Sequence, residues 1–285
     1  MTKLILEYDF PHKNIDLTPN QTNLFPNPIP NNLSPYLNRN NDGDLVVTKK
    51  FFNGKAVDDV HRYDLKYCNG EWMLFEPRSN NLATLKPLSE KPSKHDRDIT
   101  PNKAANNILI ILESPHKDEY DDDNFLPLGP ANGATGENFL NYFASPCMNI
   151  VLYKLIKDLH LNLDEGKVYS ICFVNPVPFQ TTLDFILRPI KSKKKDKKAE
   201  KTYRDQLKTE VWNALFYYCH HHFKCRVLSY NPSVIINACT KELKDKVKLA
   251  VDNPNNQIKC PNKFNTTHPS GWHGSNLSKT ICTIW

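Results

Sequence analysis

The chain has 285 residues, of which 39% are hydrophobic and 24% charged, enough for one large domain or a domain with a sizeable appendage. A formal net charge of +6 with a pI near 8.7 permits a nucleic-acid partner without demanding one. The eight cysteines form no C-x-x-C pair, only three apolar residues separate Lys3 from Glu7, and no apolar run approaches membrane-spanning length, so a disulfide scaffold, a signal peptide and a membrane protein are not expected.

Residues 1 to about 45 are rich in Asn and Pro, with isolated anchors such as Phe10, Leu24, Phe25 and Tyr36, and read as an extended arm or irregular cap. Leu45 to Thr48 and Phe51-Phe52 then introduce β character. Tyr63 to Tyr67 alternates strictly, meets Asn69-Gly70 and returns as Glu71 to Phe75, which predicts a two-residue hairpin. These features make residues 1–100 an N-terminal extension with a small antiparallel β unit, ending in a polar connection over 77–106. From Ile108 onward apolar strands alternate with helical periods. The runs Ile108 to Leu112, Val168 to Val174 and Val234 to Ala238 do not alternate, as expected for strands buried on both faces. Helices are expected over Asn138 to Phe143, Met148 to Leu159, Thr202 to His222 and Glu242 to Val251. The fold class is α/β: a central parallel sheet flanked by helices over 101–285, preceded by the antiparallel β extension.

The chemistry-bearing residues follow strands. Ile108 to Leu112 ends in Glu113-Ser114-Pro115-His116, Val174 is followed by Asn175-Pro176, and Thr267-His268-Pro269-Ser270 lies late in the chain. Proline cannot donate to a ladder, so each strand should stop there. The carboxyl ends of parallel strands converge on one edge, where open α/β sheets bind ligands.

This set resembles the uracil-DNA glycosylase superfamily. Leu112-Glu113-Ser114-Pro115-His116 is similar to the family's first motif, G-Q-D-P-Y-H in one branch and G-E-A-P-G in another. Val174-Asn175 matches its strand ending in Asn, and His268-Pro269-Ser270 matches its late H-P-S motif in full. Leu126-Pro127-Leu128-Gly129-Pro130 is similar to the loop that shapes the base pocket. The resemblance covers roughly residues 105 to 285. It implies a monofunctional, cofactor-free and metal-free DNA glycosylase that flips a uracil or modified pyrimidine out of the stack and leaves an abasic site. Glu113 would activate the attacking water or line the pocket, Asn175 would read the base, and His268 would stabilise negative charge on the leaving base. Ser114, Pro115, His116 and Leu128 would line the pocket with Asn175, while Ser114 and Ser270 would bind flanking phosphates. Trp272 stands where the family often carries a leucine wedge, and would stack in the gap left by the flipped nucleotide.

The departures bear on substrate. Ser114 replaces the catalytic Asp of one branch, which shifts the work to Glu113. Leu112 replaces a Gly, and His116 replaces a pocket Tyr, which could admit a base bulkier than uracil. No cysteine set matches an iron–sulfur cluster. Altered bases in invading viral DNA are a reasonable substrate class. Each assignment has a structural counterpart: Glu113 as a capped carboxylate, Asn175 as a turn former, His268 and Trp272 as packing residues. The rival function is a catalytically inactive glycosylase-like module that binds DNA or a protein. A nucleotide-binding enzyme of another type is disfavoured, because no Gly-rich phosphate loop is present.

Three further stretches are informative. The Lys-rich insertion near 190–201, with Lys193, Lys194 and Lys195, reads as a solvated loop that could track DNA phosphates. Asp118, Glu119 and Asp121 to Asp123 read as a solvated acidic face. Cys219-His220-His221-His222-Phe223-Lys224-Cys225 has metal-binding residue types but fits no common zinc spacing. The expectation is a cytoplasmic monomer whose partner is DNA and not a membrane.

Overall fold

The computed structural model describes residues 1–7, 13–48, 56–77, 101, 106–120, 126–144, 151–183, 186–187, 194–252, 260–272 and 282–285. In chain order the elements are β1 (Lys3–Leu6), β2 (Lys13–Asp16), α1 (Pro19–Thr22), β3 (Leu37–Arg39), β4 (Leu45–Val47), β5 (Val60–Cys68), β6 (Glu71–Phe75), β7 (Asn106–Ile111), α2 (Ala134–Tyr142), α3 (Val151–Leu159), β8 (Val168–Val174), α4 (Lys194–Ser229), β9 (Val234–Asn237), α5 (Lys241–Asp252), β10 (Asn262–Thr266) and β11 (Cys282–Ile284). The fold is mixed α/β, with parallel and antiparallel strands and helices. The chain divides into two units. One comprises Met1–Ala56, Ser114–Pro127 and Val177–Cys219, the other Val57–Glu113, Leu128–Pro176 and His220–Trp285. This division does not follow the expected boundary at residue 100.

The first unit contains a four-stranded sheet ordered β2-β1-β4-β3, with β1 and β4 parallel and the outer pairs antiparallel. The expected irregular arm therefore supplies short strands to this sheet, with irregular backbone and turns between them. Its strands are only three or four residues long, too short for a convincing period, yet Leu4, Leu6, Ile15, Leu37, Leu45 and Val47 are all buried. Helix α1 starts with a capping box: the Thr18 hydroxyl accepts from the Gln21 N–H, and the Gln21 side chain accepts from the Thr18 N–H. Gln21 also donates to Glu210 of α4 at 3.0 Å.

Helix α4 runs 36 residues and begins at Lys194, so the part of the Lys-rich stretch that is described is helical and not a loop. Lys, Glu, Ala and Gln are strong helix formers even without an apolar stripe. That stripe begins only at Leu207 and continues through Val211, Leu215 and Cys219, all buried, which explains why the sequence pattern shows the helix late. The division between the units falls within this helix.

The second unit is built on a seven-stranded sheet ordered β11-β10-β9-β7-β8-β5-β6. Strands β10, β9, β7 and β8 are mutually parallel, and β5, β6 and β11 are antiparallel additions at the edges. The β5–β6 hairpin therefore belongs to this sheet and does not precede it: β5 pairs with β8 from Val60↔Phe173 to Lys66↔Val168. Asn69 (φ 54°) and Gly70 (φ 88°) both adopt the left-handed conformation that its two-residue turn requires.

The core explains the non-alternating strands. Ile108, Ile110, Leu112, Ile171, Phe173, Val234 and Ile236 belong to one apolar cluster with Phe139, Phe143, Leu152 and Leu155 from the α2–α3 region. The alternate residues Leu109, Ile111, Cys172, Val174 and Ile235 are equally buried. Strands with both faces covered need apolar residues at every position. Each such side chain contributes about 1.5–3 kcal/mol by leaving water.

Candidate functional site

The parallel register fixes where the expected residues emerge. Ile111 pairs with Val174 on one side and Asn237 on the other, and Asn237 pairs with Asn265. The next backbone bonds continue the pattern, Leu112 N–H to Val174 and Ala238 N–H to Ile111. Glu113, Asn175 and His268 thus all follow the carboxyl ends of parallel strands in one sheet, in the lateral order β8, β7, β9, β10. Asn175 and Glu113 follow adjacent strands. The strands before Glu113 and His268 are two spacings apart, roughly 10 Å.

Asn175 is the most unusual of the three. It is 1% exposed, and neither its side-chain oxygen nor its nitrogen has a hydrogen-bond partner among the described residues. An amide left in that state costs about 1–3 kcal/mol. Its backbone, by contrast, is held at both polar groups. The Asn175 N–H donates to Asp59 Oδ1 at 3.4 Å, and the Asn175 carbonyl accepts from Arg226 Nη2 at 2.8 Å. Arg226 Nη1 also pairs with Asp59 Oδ1, and the Tyr230 hydroxyl donates to Asp59 Oδ2 at 2.9 Å. Burial pushes the Asp59 carboxyl up, while Arg226, then Tyr230 and the Asn175 N–H, pull the other way. Burial and the neighbouring Asp59 charge raise the Tyr230 hydroxyl, which remains a donor at neutral pH.

Glu113 is 5% exposed, two residues beyond the end of β7.

His268 caps the short 3-10 turn Pro269–Gly271. Its Nδ1 accepts from the Ser270 N–H at 3.3 Å and lies 2.8 Å from Ser270 Oγ. With Nδ1 an acceptor, the neutral ring carries its proton on Nε2, which is then a donor. Helix α2 holds this turn, since Asn138 Nδ2 donates to the carbonyls of Pro269 (3.1 Å) and Ser270 (3.3 Å). Ser270 is exposed, and its hydroxyl is engaged with His268.

Trp272 differs from expectation. It is fully buried in the core, tilted against Phe139 at 6.0 Å, and its indole N–H donates to the Thr267 carbonyl at 3.0 Å. A side chain so packed cannot act as an exposed wedge; it anchors the H-P-S turn instead. Leu128 is half-buried at the start of a loop fixed by Arg62, which donates to the Pro130 carbonyl and to Asn132 Oδ1 (3.3 Å). Gly129 takes φ +104° there, with the Val60 side chain 3.3 Å from where a Cβ would sit.

The remaining expected residues lie in the first unit or outside the described residues. Ser114 Oγ is 2.7 Å from Thr181 Oγ1. Pro115 is buried. His116 is exposed and pairs with Asp118 at 3.2 Å, which makes it a surface residue of the 3-10 turn Lys117–Glu119. Glu119 is buried, against the expectation of a uniformly solvated acidic face, and Asp121 to Asp123 are outside the described residues. Lys193 also lies outside them, and Lys194 and Lys195 are described only as the first backbone residues of α4. Leu183, Leu187, Arg204 and Lys208 border a cavity of about 40 Å³ in this unit, sized for water and not for a nucleobase. Among the described residues no group of three or more His, Cys, Asp or Glu could hold a metal ion, and no helix is long and apolar enough to cross a membrane.

Sequence reading missed Asp59, Arg62, Asn138, Arg226 and Tyr230. Asn138 had a weak signal, its place at the start of an expected helix. Asp59 and Arg226 had none, because their pairing spans 167 positions.

No protein-family model, no curated protein and no solved structure matches this chain.

Proposed function

We propose that the chain is a DNA glycosylase of the uracil-DNA glycosylase type, acting without metal or cofactor on a flipped uracil or modified pyrimidine. The observation that carries this reading is the Asn175 carboxamide, buried at a strand end with neither donor nor acceptor used among the described residues. A pyrimidine edge offering an adjacent carbonyl and N–H would satisfy both groups at once. In this reading Glu113 takes the proton of a water that attacks the sugar carbon. The N-glycosidic bond breaks with its electron pair leaving on the base, and His268 donates from Nε2 to the base oxygen where that charge gathers. The roughly 10 Å between the β7 and β10 strand ends suits a sugar at one side and the far edge of a base at the other. The finer architecture proposed is the glycosylase-like layout in which β8, β7, β9 and β10 form the central parallel sheet.

The test uses purified protein, oligonucleotides bearing uracil or modified pyrimidines, and phage DNA carrying modified bases, each followed by alkali. Strand scission at the altered base is expected. Glu113→Gln should abolish it, and His268→Ala should slow it by about 10²–10³-fold. Absence of scission on every substrate removes the reading. Salt-sensitive binding without scission, unchanged by Glu113→Gln, would establish the non-catalytic module instead. That outcome is favoured by one observation, the engagement of Ser114 with Thr181 where one branch of the family places a catalytic acid.

A further inference from the structure

The groups that hold Asn175 are themselves unusual. Asp59 is buried immediately before β5, Arg226 lies in the last turn of α4, and Tyr230 follows that helix. Two segments distant in the chain, the one before β5 and the end of α4, converge on the Asn175 main chain, with Tyr230 reaching it through Asp59. Fully burying a carboxylate and half-burying a guanidinium is costly unless each is well paired, and these are paired with each other and with the Asn175 peptide. Their bonds are to the Asn175 backbone and none reaches its side chain, so they fix where the amide starts and leave its polar atoms open. Arg226 is suited to this: one nitrogen of its planar fork meets the carboxylate and the other the carbonyl.

We infer that Asp59, Arg226 and Tyr230 form a positioning clamp that sets the orientation of the Asn175 carboxamide and hence which base edge it accepts. The inference rests on the glycosylase reading for its consequence, but its geometry concerns Asn175 alone. The three are positioning residues, since none is argued to touch the reacting atoms. Tyr230 orients the carboxylate, Asp59 holds Arg226 and the Asn175 N–H, and Arg226 holds the Asn175 carbonyl. Losing the charge at Asp59 or the fork at Arg226 frees the peptide to rotate, and the amide then meets a base in more than one attitude.

The experiment has two arms on the full-length protein with Asp59→Asn, Arg226→Lys and Tyr230→Phe. In the first, amide hydrogen exchange and ¹H–¹⁵N spectra follow Asn175, assigned with Asn175→Asp, with the Leu109 and Ile110 amides as the control for folding. Expected is at least a tenfold faster exchange of the Asn175 amide and altered side-chain NH₂ resonances in Asp59→Asn and Arg226→Lys, a smaller change in Tyr230→Phe, and unchanged core amides. An Asn175 signature unchanged in all three variants overturns the clamp whatever the wild type does to DNA. Should Asp59→Asn or Arg226→Lys fail to fold, Tyr230→Phe decides by the same readout. In the second arm, on whichever oligonucleotide the wild type cuts, the variants should lower kcat at least tenfold, keep KM for DNA, and narrow the preference between two pyrimidine bases. Wild-type activity with unaltered preference in the variants also overturns the clamp. A wild type that excises nothing overturns the glycosylase reading alone, and the exchange arm still decides the clamp.

Discussion

Asn175 places a conflict inside a single residue. Its backbone N–H and carbonyl are both bonded, while its carboxamide is buried with no hydrogen-bond partner among the described residues. In a chain with only structural demands, an apolar residue of similar volume would serve better there. Asn175→Leu should therefore stabilise the unliganded protein by about 1 kcal/mol, measured as a shifted urea midpoint at constant slope, while removing base excision. Equal or lower stability would show that the amide has a partner in solution and weaken its reading as a ligand group. The sequence placed Asn175 correctly at a strand end, because the apolar run and the following proline are local signals. It could not separate a turn former from a base reader, because that depends on what lies around the amide. Trp272 shows the reverse: its position in the chain suggested a wedge, and only burial shows that it packs.

At the scale of elements, α2 governs the H-P-S turn. Gly136 lies in the first turn of that helix, and a Cβ there would come within 1.9 Å of the Ala131 carbonyl oxygen. Backbone cannot move aside as a flexible side chain can, so Gly136→Ala should displace α2 and with it the Asn138 clamp and Phe139, which packs on Trp272. A loss of about 3 kcal/mol or more is expected, against the small gain that Gly→Ala gives in an unobstructed helix. Thermal melts of the variant beside Asn138→Ala separate the two contributions, since the latter removes only the hydrogen bonds and should cost about 1–2 kcal/mol. The helix itself was legible from Asn138 onward; its first turn, Ala-Thr-Gly-Glu, carries no apolar period to announce it.

For the molecule as a whole, the two units are threaded through each other in sequence, each drawing on three separate segments. A fragment beginning at residue 101 lacks β5 and β6, so β8, with Ile171 and Phe173, would become an open edge. That fragment should show no cooperative thermal transition by near-ultraviolet circular dichroism, and a sharp one would contradict the role given to the hairpin. The net charge of +6 and the exposed Lys197, Lys198 and Lys201 of α4 predict DNA binding that weakens steeply with salt. Replacing those three lysines with alanine should reduce the slope of log affinity against log salt by about 2–3 without changing the base removed. An unchanged slope would place the phosphate contacts elsewhere.

The amino-acid sequence by itself determined the buried strands, the hairpin turn, most of the helices and the polar residues that follow the parallel strands. All of these arise from local propensity, from the period of apolar residues, or from proline and glycine within a few positions. Only the tertiary structure decided that the hairpin extends the larger sheet, that the N-terminal arm builds a sheet of its own, that Trp272 is enclosed, and that Asp59 meets Asn175 across 116 positions and Arg226 across 167. Those outcomes follow from strand pairing and from the burial of charge beside its counter-charge. Both are set by which distant segments the folded chain brings together, and neither leaves a periodic mark along it.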